Sequence, residues 1–258
     1  MPLRDFFSRE PVVAVAFSGG VDSAYLAWAA KRHARRARAY YVKSEFQSVE
    51  ELAAARRLAH LIGVPLTVVS VNMLETPAVV CNGPDRCYRC KQLMLSRIAE
   101  EAAREGISCV VEGTNASDDE GDRPGMRAVR EAGILSPLRE AGLTKSMVRQ
   151  LSRDASLPTW DKPSQTCFAT RIPQGTPLTE ALLGTVERAE SLLHREGIGE
   201  CRARIFGDAV RIQVAPADFE RCVARRSEIL RALGPAFSFV TIDLEPLHAS
   251  AWDVSVSR

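Results

Sequence analysis

The sequence predicts an α/β fold, a parallel sheet flanked by helices, followed by a smaller α+β domain. Three observations carry this. An apolar run, Val12 to Phe17, passes through a turn with two glycines, Ser18-Gly19-Gly20-Val21-Asp22-Ser23, into a helical pattern from Ala24 to Ala30. Further apolar β runs alternate with helical patterns of about 10–15 residues, which is how βαβ units read in sequence. The alternation stops at Leu157, and up to Pro177 four prolines (158, 163, 173 and 177) break any periodicity.

The elements follow in order. Val12–Phe17 is the first strand. Ala39–Val42 is the second and ends at Lys43-Ser44. Ser48 and Glu51, three apart, form a capping box that opens a helix running to Ile62, where Gly63 stops it. Leu66–Val71 is the third strand. Tyr88 to Glu105 is a helix closed by Gly106. Cys109–Glu112 is the fourth strand, Ile134–Leu138 a fifth, and Thr144 to Ala155 another helix. Beyond the proline-rich stretch come a helix (Glu180–Glu196), two β runs (Ala203–Phe206 and Ala209–Val214), a helix (Pro216–Leu233) and a strand (Phe237–Leu244), with a loosely held tail. This divides the chain into a Rossmann-like domain over 1–157, a connector over 158–178 and an α+β domain over 179–258. Ligands of parallel sheets sit at the carboxyl ends of the strands. The loops at that edge are 18–23, 43–47, 72–87 and 113–125.

Composition narrows the function. The length of 258 residues suits one or two domains, and 46% hydrophobic residues are enough for a sizeable core. A net charge of +2 and only 6% aromatics argue against a nucleic-acid partner. No apolar run reaches the roughly 18 residues of a membrane span, and Met1 to Pro11 does not read as a signal peptide. Seven cysteines without such a signal point to the cytoplasm, where clustered thiols bind metal or do chemistry.

The glycine turn is an anion site. Its glycines let the backbone turn N–H groups inward. The helix start adds unpaired donors and positive partial charge, and Ser18 and Ser23 add hydroxyls. A phosphate is the natural guest. No lysine follows the glycines, so this is not the Walker pattern. Asp22 beside a polyphosphate calls for a bridging Mg²⁺. Lys43, Asn115 and Asp118 fall on the same edge, and Lys162 is suited to a phosphate oxygen.

Cys87-Tyr88-Arg89-Cys90 is a CxxC near a helix start, open to redox, zinc or iron–sulfur readings. Cys167 lies in the connector between Lys162 and Arg171, whose charges favour thiolate. Cys109 reads as core, Cys201 and Cys222 as structural, and Cys81 as a spare ligand or nothing. Arg202 and Arg204, two apart on a strand, project to one face and suit a substrate phosphate.

The turn resembles the SGGxDS signature of the PP-loop ATP pyrophosphatases, which have an adenine nucleotide alpha hydrolase-like fold. With Pro84 to Lys91, Gly113 to Asp118, Asp122 to Gly125, and Lys162-Pro163-Ser164 through Cys167 to Arg171-Ile172-Pro173-Gln174-Gly175, most of the chain is similar to the LarE family. These are ATP-dependent sulfur transferases of that superfamily. The resemblance implies ATP and Mg²⁺ at Ser18, Gly19, Gly20, Val21, Asp22 and Ser23, and adenylation of a carboxylate on a pyridinium mononucleotide. A thiocarboxylate for the nickel-pincer nucleotide, the cofactor of lactate racemase, would follow. It also implies Asp22, Lys162 and Cys167 as catalytic residues, and Arg171, Glu190, Arg202 and Arg204 near the substrate. Cys87, Cys90 and Cys167 would hold a [4Fe–4S] cluster as sulfur donor; in a second branch of the family, the cysteine matching Cys167 is itself consumed. Homo-oligomers are typical of the family. One departure is the segment Glu245 to Trp252, which lacks the arginine common there. Competing readings are a tRNA thiolase, an ammonia-using synthetase and a non-catalytic ATP or AMP sensor.

Overall fold

The computed structural model describes residues 3–118, 124–163 and 166–247. In chain order the elements are α1 (Arg4–Arg9), β1 (Val12–Ala16), α2 (Val21–His33), β2 (Arg36–Lys43), α3 (Val49–Ile62), β3 (Leu66–Ser70), α4 (Pro77–Val80), α5 (Arg86–Arg104) and β4 (Cys109–Val111). There follow α6 (Pro124–Glu131), α7 (Pro137–Glu140), α8 (Lys145–Asp154), α9 (Glu180–Arg195), β5 (Cys201–Phe206), β6 (Ala209–Val214), α10 (Phe219–Ala224), α11 (Arg226–Leu233) and β7 (Phe239–Ile242). They form two compact units. The first joins Met1–Met73 to Asp85–Gln165, and the second joins Leu74–Pro84 to the chain from Thr166 on.

The first unit is built on a parallel four-stranded sheet of order β3-β2-β1-β4. Val12 pairs with Arg36, Val13 with Cys109 and Ala39 with Leu66. β1 is central, so both its faces are covered, and Val13, Ala14 and Val15 are wholly buried. Tyr25, Leu26 and Trp28 of α2, Leu58 of α3 and Val148 of α8 complete this core. Ser48 caps α3 by accepting from the Glu51 N–H at 3.0 Å. Gly63 ends that helix at φ +76°. Strand order reverses between β1 and β4, so the crevice beyond their carboxyl ends is the expected ligand position.

The second unit pairs β5 antiparallel with β6, and β6 parallel with β7. Leu183, Val186 and Leu193 of α9 are buried, as are Ala203, Ile205, Val210, Ile212 and Val214 of the sheet. Leu74–Pro84 joins this unit through backbone bonds from Gly175 N to Asn82 O and Leu178 N to Val80 O.

Several sequence expectations shift. Ile134–Leu138 is not a strand. It contributes a single bridge, Leu135 to Val111, and Pro137, which cannot donate to a ladder, starts α7 instead. The helix expected over Pro216–Leu233 is a 3₁₀ turn followed by α10 and α11, with a break at Arg225. β7 is shorter than Phe237–Leu244. Cys109 is only half-buried because β4 is an edge strand. Burial pushes its thiol up to about 12, with Glu10 adding to the effect. Among the described residues, no helix is long and apolar enough to cross a membrane.

Candidate active site

The turn after β1 is held by its own hydroxyls. Ser18 N–H donates to Ser23 Oγ at 3.2 Å, the two serine hydroxyls lie 3.0 Å apart, and Ser23 Oγ donates to Gly20 O at 3.2 Å. Gly19 takes φ +75°, which a side chain would strain. Gly20 is the N-cap of α2 and, lacking a side chain, leaves the first turn's N–H groups without a side-chain cap. Phe17, Gly19, Val21 and Ser23 are buried, while Ser18 is exposed.

Asp22, on the first turn of α2, meets Lys145 Nζ at 2.5 Å and accepts from Asn115 Nδ2 at 3.4 Å. Burial raises its pKa, and the Lys145 ammonium opposes the rise. Asn115 and Asp118 brace each other. Asn115 N–H donates to Asp118 Oδ2 at 3.0 Å, and Ser117 N–H to Asn115 Oδ1 at 2.8 Å. Arg139 Nη2 holds the Asp118 carbonyl at 2.6 Å. The loop after β4 comes so close to α2 that a Cβ on Gly113 would lie 2.9 Å from Ser23 N. Lys162 also reaches this turn, its Nζ donating to Gly19 O at 3.2 Å. Burial lowers the pKa of that ammonium, and Glu51 acts against the lowering. Lys43 donates instead to the carbonyls of Ser44 and Gln47 in its own loop. One edge of the first unit thus gathers Ser18 to Ser23, Asn115, Asp118 and Lys162. Sequence reading missed Lys145. Its only local signal is its place after the Thr144 N-cap, and it meets Asp22 because α8 packs on α2.

α5 begins at Arg86, so Cys87 and Cys90 share one face of its first turn at i and i+3. Cys90 Sγ lies 3.9 Å from Met73 Sδ and 3.7 Å from Met94 Sδ. Arg86 Nη2 donates to Cys87 Sγ at 3.5 Å. The turn is anchored on either side. Tyr88 Oη donates to Glu131 at 2.5 Å, with the guanidinium of Arg127 4.6 Å from the Tyr88 ring centroid. Lys91 lies 3.5 Å from the buried Glu112, which also accepts from Thr114 N–H and Ser136 Oγ.

Cys167 belongs to the second unit, where it precedes a 3₁₀ turn over Phe168–Arg171. Arg171 points into that unit. Its Nε meets Glu190 at 2.7 Å, and Nη1 donates to the carbonyls of Thr166 and Cys167 at 3.0 and 3.3 Å. Burial disfavours its charge, but Glu190 more than offsets this and raises its pKa. Glu190 also accepts from Ala203 N–H at 3.0 Å. Arg171 and Glu190, expected near the substrate, therefore turn their charged ends to each other. Arg202 and Arg204 are buried, which corrects the alternative of a solvated strand face. Arg204 bonds Gln213 and the Thr170 carbonyl. The buried Asn82, also missed, donates to the carbonyls of Pro173 and Thr176 at 2.8 and 3.0 Å. Cys201 and Cys222 are buried and Cys81 is exposed. Among the described residues no group of three or more His, Cys, Asp or Glu is set to hold a metal ion. Asp122, Arg123, Ser164 and the segment from His248 on lie outside the described residues.

A parallel sheet whose first strand ends in a self-bonded SGGVDS turn, with a carboxylate on the following helix, defines a PP-loop domain of the kind that uses ATP. A family model described as asparagine synthase matches residues 7–116. The pyridinium-3,5-bisthiocarboxylic acid mononucleotide synthase of Lactiplantibacillus plantarum is 34% identical over 237 residues, covering 90% of this chain and 85% of that protein. An uncharacterized protein of Synechocystis is 35% identical over 247 residues, covering 94% and 92%. Another from Methanocaldococcus jannaschii is 25% identical over 244 residues, covering 94% and 93%. The chain belongs to the LarE family, and it is an ATP-using sulfur transferase.

Proposed function

We propose that this chain converts a carboxylate of a pyridinium mononucleotide into a thiocarboxylate, on the way to the nickel-pincer nucleotide. The observation that carries the reading is the serine-braced glycine turn with Asp22 at the start of α2, in a chain 34% identical to the Lactiplantibacillus synthase. Ser18 to Ser23, Asn115 and Asp118 bind ATP, and Lys43 would join them only by leaving the Ser44 and Gln47 carbonyls of its own loop. The substrate carboxylate attacks the α-phosphorus, the bond to the β-phosphate oxygen breaks, and pyrophosphate leaves. Lys162 and the N–H groups of α2 stabilise the charge that develops. A sulfur nucleophile then attacks the acyl carbon, and AMP departs with the bonding electron pair. Arg202 and Arg204 hold the substrate phosphate. Arg171 and Glu190 fix the backbone that carries Cys167.

Asp22 suits Mg²⁺, because its carboxylate is a hard oxygen donor with 22% of the side chain exposed. Cys87, Cys90 and Cys167 suit an iron–sulfur cluster in their chemistry, being partly exposed thiols outside any disulfide, two of them on one helical turn. Bound there, a [4Fe–4S] cluster would supply the sulfide. The same reading takes the 158–178 connector as the active-site loop and 179–258 as the substrate and oligomerisation domain. Exposed Val223, Leu230 and Phe239 suit a homo-oligomer. Seven reduced thiols suit the cytosol.

The test is anaerobic purification. Wild-type protein is expected to be brown, and Cys87→Ala, Cys90→Ala and Cys167→Ala each to lose the colour and the bound iron. Recovery after turnover of a colourless protein lighter by about 34 Da, the mass of H₂S lost from one cysteine, would instead make Cys167 the sulfur source.

A further inference from the structure

We propose that Lys145 is a nucleotide-binding residue that exchanges partners. It neutralises Asp22 when no nucleotide is bound, and it turns to the β- and γ-phosphates of ATP when a metal ion takes over that carboxylate. The proposal rests on reading the glycine turn as an ATP site.

Four observations within the first unit support it. Lys145 is fixed at its backbone, where its N–H donates to Ser117 Oγ at 3.0 Å, so the side chain swings from an anchored point. Its Nζ meets Asp22 at 2.5 Å, beside the uncapped first turn of α2. The contact is not sealed, since 33% of the Lys145 side chain and 22% of the Asp22 side chain are exposed. Asp22 keeps a second donor in Asn115, so losing the ammonium does not strip it of partners. Lys162 differs. Its ammonium donates to a neutral carbonyl, Gly19 O, at 3.2 Å, a contact that a metal on Asp22 does not compete for. Lys145 and Asp22 cancel as a pair. A divalent ion on Asp22 would free the ammonium beside the donors that face a triphosphate. Ionic hydrogen bonds to phosphate oxygens are among the stronger ones available.

The probes are α,β-methylene-ATP, which cannot be split, and AMP, which lacks the outer phosphates. Binding is measured by calorimetry with Mg²⁺. Lys145→Met is expected to weaken α,β-methylene-ATP by about tenfold, the scale of one charge-assisted hydrogen bond, and to leave AMP unchanged. A second arm uses Asp22→Asn in EDTA. Lys145 then has no carboxylate to hold it, so metal-free α,β-methylene-ATP should bind more tightly than to wild type. Adding Lys145→Met should abolish that gain. Thermal melting shows whether each variant is folded, and Lys145→Arg, which keeps the charge, should restore part of the affinity. Equal weakening of both nucleotides, no change in either, or a gain in Asp22→Asn that survives loss of Lys145 would each overturn the exchange. Failure of wild type to bind either nucleotide would overturn the ATP site itself.

Discussion

Asp22 and Lys145 in the first unit meet at 2.5 Å with 22% and 33% of their side chains exposed. Arg171 and Glu190 in the second meet at 2.7 Å with only 7% and 8% exposed. Water reaches both members of the first pair, and Asn115 gives Asp22 a second donor, so that pair is the freer to change partners. In the second, separating the charges would leave one of them in the interior. The guanidinium also donates to the Thr166 and Cys167 carbonyls, and the carboxylate also accepts from Ala203 N–H. The open pair suits recognition of a charged guest. The sealed pair suits holding a loop still.

The sharpest way to break this contrast is to remove one member of the sealed pair. Glu190→Ala is expected to destabilise the protein by about 3 kcal/mol, the usual scale for an orphaned buried charge. Urea denaturation measures it, and the double variant Arg171→Met/Glu190→Leu should recover a large part of the loss. Lys145→Met, in the open pair, should cost under about 1 kcal/mol by the same method. Similar losses from the two single substitutions would dissolve the distinction.

A smaller effect is expected at Gly113. Alanine there puts a Cβ 2.9 Å from Ser23 N and 3.2 Å from Asp22 Cβ, both parts of α2 that cannot easily give way. The expected cost is about 2 kcal/mol, with weaker nucleotide binding because α2 itself is displaced. Unchanged binding would mean that the edge tolerates movement and is less preorganised than its hydrogen bonds suggest.

The smallest effect concerns Lys162. Burial lowers its ammonium below the usual 10.5. The folded protein therefore releases this proton before the unfolded chain does. Between the lowered value and 10.5 the unfolded state binds more protons, and stability rises with pH. Subtracting the pH profile of Lys162→Met from that of wild type should leave a shallow upward slope in that window. A flat difference would show the ammonium to be as solvated in the folded protein as in the unfolded chain.

Local chemistry made much of this legible in the sequence. The glycine turn, the Ser48 cap and the Gly63 stop each depend on a few adjacent residues, and so do the strands that flank them. Asp22, Asn115 and Asp118 could be named because they fall in loops at the carboxyl edge of a parallel sheet, and Lys162 because its side chain suits a phosphate oxygen. Lys145 and Arg139 could not, because their partners are distant in sequence and are set by how α8 and the loop after β4 pack. Arg202 and Arg204 were legible as a pair on one face, but their burial depends on what covers β5. The break at Arg225 has no glycine or proline to announce it. Pro137 did carry a signal against the fifth strand, and hydrophobicity alone outweighed it.

Asn82 bears on how the molecule could be taken apart. It is fully buried at φ +52°, and its amide grips carbonyls about ninety positions downstream, at Pro173 and Thr176. A cut between the two halves of the sequence would therefore not release a self-sufficient C-terminal piece. It would leave the Pro173–Thr176 bend without the side chain that ties it down, and Asn82 stranded on the other fragment.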